Sequence, residues 1–229
     1  MYMQITEKCQ LQCEHCMFSC GPRGKHATLE VIKQACKIAK DNHSHLFMGG
    51  GEPTIHPQFW EVFGLFCEAN APWSNDTGMP PVGLVSNGIN EKVVMPLLDL
   101  AEQKLISLSI SQDHFHKRCA QLSERVQRKL DYLVKRKGER TVDIRGDITY
   151  VRQVGRAKRS YVYTEASENC NSCGGVIDSA GDVWQCCHKS VKLGNIFTGL
   201  VDGVNWYDID EMPCCKTKSL KRWLKEKEQ

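Results

Sequence analysis

Three thiols fall within eight residues of one another in Cys9-Gln-Leu-Gln-Cys13-Glu-His-Cys16, directly after an alternating stretch at Tyr2 to Thr6. Thiolates are the usual protein ligands of iron–sulfur clusters, and a cubane of four irons held by three cysteines leaves one iron without a protein ligand. An iron left open in this way is what a chelating small molecule needs. The same spacing would also serve a zinc knuckle, with Cys20, His15 or His26 as the fourth ligand.

A second motif, Gly49-Gly50-Gly51-Glu52-Pro53-Thr54, closes the next expected strand. Glycines let a backbone approach a ligand closely, and a carboxylate or carbonyl can pair with an ammonium group. Taken alone, the motif is equally a strand-to-helix turn. Val85-Ser86-Asn87-Gly88 and Ser109-Ile110-Ser111-Gln112-Asp113 end two further strands, where βα architectures collect their ligands. Asp113, His114 and His116 read either as acid–base groups or as a solvated loop. Arg145 and Asp147 alternate along a fifth strand and share a face, so an inward face would bring both to a ligand.

Cysteines gather again near the C-terminus, at Cys170, Cys173, Cys186, Cys187, Cys214 and Cys215. Val176 to Asp178 and Val183 to Gln185 read as a hairpin around a Ser-Ala-Gly-Asp turn, which would bring the flanking cysteines together. Such a site suits an iron–sulfur cluster or, with His188, a structural zinc. One member of each adjacent pair is expected to be idle. Cys36 and Cys67 fall on apolar helix faces and read as core residues.

The elements that must position these groups alternate. Strands are expected at Tyr2–Thr6, His45–Met48, Val82–Ser86, Leu105–Ser111 and Thr141–Tyr150. Between them the apolar periodicity predicts four helices. The first runs from a Thr28 cap to about Asn42 with Val31, Ile32, Ala35, Cys36 and Ala39 inward. The second opens near Pro57 and buries Phe59, Trp60, Phe63 and Phe66. A loop is expected over Ala69 to Pro81. The third helix follows an Asn90 cap, with Pro96 kinking it or marking its true start. The fourth follows Ser123 with Val126, Leu130, Leu133 and Val134 inward. This order is that of an α/β fold with parallel βα units. Falling short of eight, it predicts a partial (β/α) TIM-type barrel of about five to six units over residues 1–157. A small cysteine-rich subdomain follows over 158–229, ending in a Lys-rich helix with Leu220, Trp223 and Leu224 on one side.

The 229 residues are 41% hydrophobic and 25% charged, which fits a packed globule. A net charge of +3 is too weak to argue for nucleic acid, which is not the expected partner. The basic residues Arg125, Arg128, Lys129, Arg152, Arg156, Lys158 and Arg159 are either phosphate-binding or a solvated face. No apolar run approaches a membrane span and no signal core opens the chain, so a cytoplasmic, reducing setting is expected for its thirteen cysteines.

Together the motifs resemble the radical S-adenosylmethionine superfamily. Its C-x-x-x-C-x-aromatic-C signature matches Cys9, Cys13, His15 and Cys16, with His15 in a slot where Tyr, Phe or Trp is commoner. The resemblance implies a [4Fe-4S] cluster on Cys9, Cys13 and Cys16, and S-adenosylmethionine as cofactor. It implies that Gly50, Gly51, Glu52 and Pro53 bind the methionine amino group. Asn87, Ser109, Ser111, Asp113 and Arg145 would reach the ribose, the carboxylate or the substrate. The C-terminal region resembles twitch and SPASM auxiliary-cluster regions in Cys170, Gly181, Cys186 and Leu193-Gly194-Asn195-Ile196. It lacks the later cysteine series of a full SPASM region, so one auxiliary cluster is implied. The substrate implied is a peptide or protein side chain, or else a nucleotide or other small molecule, with a reductant such as flavodoxin or ferredoxin. No peptide-recognition domain precedes residue 1, which argues against a maturase dependent on a leader. A zinc-stabilised binding protein without catalysis is the reading from another class.

Overall fold

A computed structural model describes residues 1–135, 142–146, 155–156, 174–187, 189, 191–209 and 225. The N-terminal alternation forms strand β1 (Tyr2–Thr6). Met3 and Ile5 lie fully buried in the main core, while Tyr2 and Thr6 take the other face. Thr28 caps helix α1 (Leu29–Asp41) by accepting from Val31 N, and the expected apolar face is buried together with Ile38.

Strand β2 (Phe47–Gly50) starts two residues later than its expected start and takes in the glycines. Helix α2 (Phe59–Thr77) replaces most of the loop expected over Ala69 to Pro81. The reason is Asn70, whose buried amide accepts from Leu46 N at 2.8 Å and donates to the Leu46 and Pro81 carbonyls. A residue that looks like a loop former is here a bracket between α2 and the entries to two strands. Gly78 ends the helix at φ +68°, the left-handed conformation that suits glycine. Trp60, expected inward, is 46% exposed, with its ring edge-on to Phe59.

Strand β3 (Val82–Ser86) is as expected, and helix α3 (Glu91–Glu102) carries Pro96 within it rather than at its start. Strand β4 (Ile106–Ser111) leaves Leu105 outside and half exposed. A short helix α4 (His114–Cys119) then forms, in place of the solvated loop that was one of the two expectations, because Asp113 accepts from Phe115 N and His116 N and so caps it. Helix α5 (Glu124–Lys135) buries Val126, Leu130 and Leu133 but leaves Val134 54% exposed. Val134 directly follows Leu133, so a helical step of about 100° turns it from the core. The described part of strand β5 is Val142–Arg145.

Strands β6 (Val176–Ile177), β7 (Asp182–Trp184), β8 (Lys192–Asn195) and β9 (Gly199–Leu200) follow. All nine described strands form one sheet in the order β5-β4-β3-β2-β1-β6-β7-β8-β9. The pairs from β5 through β1 to β6 are parallel, and those from β6 to β9 are antiparallel. The architecture is a parallel α/β sheet of the partial-barrel type, continued by a meander. The expected hairpin is there, its turn held by Asp178, which accepts from Ala180 N, Asp182 N and Trp184 Nε1. The C-terminal helix expected around Leu220, Trp223 and Leu224 lies outside the described residues, apart from Lys225, which is helical. No helix among the described residues is long and apolar enough to cross a membrane.

Candidate active site

The loop between β1 and α1 carries Cys9, Cys13, Cys16 and Cys20, and all four line one cavity of about 810 Å³. The glycine run packs against this loop. Gly51 N donates to Thr6 O at 2.7 Å and Glu52 N to Lys8 O at 2.9 Å. A Cβ on Gly51 would lie 2.3 Å from Lys8 O, and one on Gly50, at φ +129°, would lie 2.2 Å from Thr6 O. Only glycine allows the two backbones so close. Tyr2 lies over Gly49 in the same way, and its oxygen accepts from Gly50 N at 2.6 Å.

Glu52 is fully buried and its carboxylate accepts four hydrogen bonds. They come from Thr54 N at 3.1 Å, Thr54 Oγ1 at 2.6 Å, Ser86 Oγ at 2.8 Å and Asn87 N at 2.7 Å. Burial raises its pKa, and these bonds oppose the shift. The carboxylate therefore joins the end of β2 to the end of β3. Asn87 passes the link on, with its amide 3.8 Å from Cys9 Sγ and its oxygen accepting from Gln10 Nε2.

Two residues from a distant segment clamp the loop from the far side. Arg156 N donates to Cys16 O at 2.9 Å, and its guanidinium reaches Cys13 O at 2.6 Å and also Cys20 O. Gly155, at φ +57°, passes where a Cβ would lie 2.1 Å from Met17 O. In the sequence Arg156 is one basic residue among several, and the glycine before it is the local signal of a close backbone approach. Of that basic group, Lys129 is paired with Asp99 and Glu102, and Arg125 with Glu91. Arg152, Lys158 and Arg159 lie outside the described residues.

The thiols differ in electrostatics. A hydrogen bond from Cys20 holds Cys16 at about 6, against the pull of burial, and so favours its thiolate. Burial pushes Cys9 up to about 11, and burial together with the neighbouring Cys119 raises Cys13. His15 stacks on Phe115 with ring centroids 4.5 Å apart. Burial lowers its pKa to about 4, so it is neutral at pH 7.

Of the residues expected at the cofactor, His15, Gly50, Gly51, Asn87, Ser111 and Arg145 line the cavity. Ser109 and Ser111 are buried and pair in register with Asp143 and Arg145, which places these four on one sheet face. Glu52 and Pro53 stand behind the wall, and Asp113 holds His116 Nδ1 at 2.7 Å. Cys187 also lines the cavity, with Cys186 buried beside it. Cys170, Cys173, His188, Cys214, Cys215 and Asp147 lie outside the described residues. His26 accompanies Thr6, 2.9 Å from its hydroxyl, and does not line the cavity.

This donor set fits an iron–sulfur cluster: three thiols lining the cavity on one short loop, with the Cys13 and Cys16 carbonyls tied down by Arg156 and room beside them for a further ligand. Comparison with known proteins agrees. The profile of the Radical SAM superfamily matches residues 3–145. Molybdenum cofactor biosynthesis protein 1 of Homo sapiens is 28% identical over 141 residues, 59% of this chain and 19% of that protein. Mycofactocin maturase MftC of Mycobacterium tuberculosis is 34% identical over 61 residues, 26% of this chain and 16% of the maturase. The chain thus matches less than a fifth of the length of either relative. Among solved structures, BtrN in complex with AdoMet and 2-DOIA superposes with a TM-score of 0.61 at 16% identity, over 98% of this chain and 86% of BtrN. With its profile matched over more than half its length, the chain belongs to the Radical SAM superfamily, a class of enzymes that use a [4Fe-4S] cluster and S-adenosylmethionine.

Proposed function

We propose that Cys9, Cys13 and Cys16 ligate the cluster, that the adjoining cavity receives S-adenosylmethionine, and that the hydrogen removed comes from a peptide or protein side chain. The observation that carries this reading is the convergence of the three motif thiols with Gly50, Gly51 and Asn87 on one cavity wall. When bound, cluster and cofactor supply a reductive cleavage that yields a 5′-deoxyadenosyl radical, with the electron coming from a carrier such as flavodoxin or ferredoxin. The chain's own residues bind and orient. Glu52 fixes the geometry of the wall, its carboxylate already engaged by four donors. The backbone of Gly50 to Glu52 is therefore the group offered to the methionine ammonium. Arg145, which also lines the cavity, suits a carboxylate of cofactor or substrate.

The peptide reading draws on the resemblance of the C-terminal cysteines to auxiliary-cluster regions and on the local similarity to a maturase. In this reading residues 1–157 form the catalytic barrel and 158–229 the auxiliary region. Cys170, Cys173, Cys186 or Cys187, and Cys214 or Cys215 hold a second cluster, and Cys187 on the cavity wall brings it toward the substrate. A nucleotide or other small molecule is the second reading, favoured by the longer match to the molybdenum cofactor protein.

The test is anaerobic reconstitution with a strong reductant. The wild type should convert S-adenosylmethionine to 5′-deoxyadenosine, and Cys9→Ala, Cys13→Ala or Cys16→Ala should each abolish it; persistence in all three would overturn the assignment. Profiling peptides and metabolites against the Cys13→Ala control separates the two substrate classes. The triple cysteine variant should still take up iron and sulfide if the C-terminal cysteines hold a cluster, whereas zinc without sulfide would mark a structural site.

A further inference from the structure

We propose that, in the cluster-free protein, Cys13, His15 and His116 form a mononuclear zinc-type site that excludes the cluster from the loop. The Cys13 Sγ and one ring nitrogen from each histidine lie within 4.8 Å of one another. Around one zinc ion such atoms would stand about 3.5 Å apart, so the loop needs to close by roughly an ångström. That is a side-chain adjustment rather than a refolding.

The surroundings are those of a built metal site. The buried Asp113 carboxylate approaches His116 Nδ1 at 2.7 Å, which fixes Nδ1 as the protonated nitrogen and leaves Nε2 with its lone pair for a metal. A carboxylate behind a histidine is the usual outer partner of a zinc ligand. Asp113 itself is held by Phe115 N and His116 N at the start of α4, so the orientation of His116 is set by a helix cap. His15 supplies the second observation. Its Nδ1 is buried and has no hydrogen-bond partner among the described residues, a costly state for an imidazole nitrogen unless something binds it. Its ring meets that of His116 edge-on with centroids 5.0 Å apart. Cys119, three residues beyond His116 on α4, neighbours the Cys13 thiol and is the donor placed for a fourth position.

Cys13 cannot serve both occupants. Cluster assembly and zinc binding are therefore mutually exclusive on this loop, and zinc would act as an inhibitor of maturation rather than of turnover. This inference shares Cys13 with the proposed cluster but does not depend on that cluster's chemistry.

The experiment uses the full chain, stripped of iron anaerobically and titrated with Co(II). The wild type should develop tetrahedral d–d bands with thiolate charge transfer. His116→Ala should bind one fewer equivalent, since the C-terminal cysteines contribute equally to both proteins. Asp113→Asn keeps an oxygen to cap α4 but turns an N–H toward His116, which forces the proton onto Nε2. It should weaken that one equivalent about 10–100-fold. Zn(II) added before reconstitution should block iron uptake at the first cluster in the wild type, and His116→Ala should relieve the block. That relief also shows that the variant is folded. Should His116→Ala fold poorly, the Asp113→Asn affinity decides. Equal Co(II) stoichiometry in wild type and His116→Ala, an unweakened site in Asp113→Asn, or a site that survives Cys13→Ala would overturn the proposal. A failure of 5′-deoxyadenosine formation would bear on the cluster reading alone.

Discussion

The Glu52 carboxylate accepts the Asn87 backbone N–H at 2.7 Å, and the Asn87 side chain stands 3.8 Å from Cys9 Sγ. Two strand ends and the first cysteine of the loop are thus linked through one buried acid. Glu52→Gln keeps the shape but turns an NH₂ toward groups that are themselves donors. Leaving such groups unpaired costs about 1–3 kcal/mol. The variant should show a lower denaturation midpoint and weaker S-adenosylmethionine binding, with iron at the first cluster largely retained. Calorimetry and iron analysis on the same sample check both; unchanged binding would reduce the motif to a turn.

Arg156 holds the loop by its carbonyls rather than its thiols. Arg156→Ala removes hydrogen bonds to a charged donor worth about 1.5–3 kcal/mol each. Its reconstituted cluster should bleach in air several-fold faster than the wild type's. Equal bleaching rates would show that the loop holds its shape without the clamp.

The neutral state of half-buried His15 carries a pH signature in the cluster-free chain. Its folded pKa of about 4 lies below the ordinary 6.5, so the unfolded chain binds more protons between those values. Stability from this group is intact above pH 6.5, falls as the pH drops through that window and levels off below about 4. At 1.36 kcal/mol per pKa unit the loss between pH 7 and pH 5 has a ceiling of about 2 kcal/mol, which solvent screening of the partly exposed ring reduces. Urea unfolding at the two pH values measures it, and His15→Phe should remove that part of the difference.

Two glycines should respond in opposite directions to the same change. Gly51→Ala sets a Cβ 2.3 Å from Lys8 O and should destabilise by roughly 1–3 kcal/mol or more. Gly64, inside α2, has nothing within 4 Å of its would-be Cβ, so Gly64→Ala should stabilise by about 1 kcal/mol. Thermal melts of the two variants give the signs directly.

What could be read from the chain alone follows from how local each signal is. Tyr2–Thr6 and Val82–Ser86 were legible because alternation and flanking turns lie within a few residues. Cys9, Cys13 and Cys16 were legible because a short loop must bring such neighbours together. The α2 extension was hidden, since Asn70 and Pro72 speak locally for a loop and only the carbonyls of Leu46 and Pro81 explain why the helix persists. Arg156 and Tyr2 were hidden for the same reason: their partners lie in distant segments. The Glu52 carboxylate was legible as part of the motif, but not as a brace for β3, because only tertiary structure places Ser86 and Asn87 against it.

The parallel pairing of β6 with β1 has a consequence for how the molecule is made. Tyr2 pairs with Val176 and Met3 with Ile177, so an inner strand of the sheet keeps one bare edge until a very late segment arrives. During synthesis the cysteine loop is thus exposed on an unfinished sheet while the helices of the first half can already pack. Such long-range closure is slow in refolding as well. A metal ion bound by the loop as proposed above would then meet it before its final enclosure exists, and the order of chain emergence and metal delivery would decide which ion is captured first.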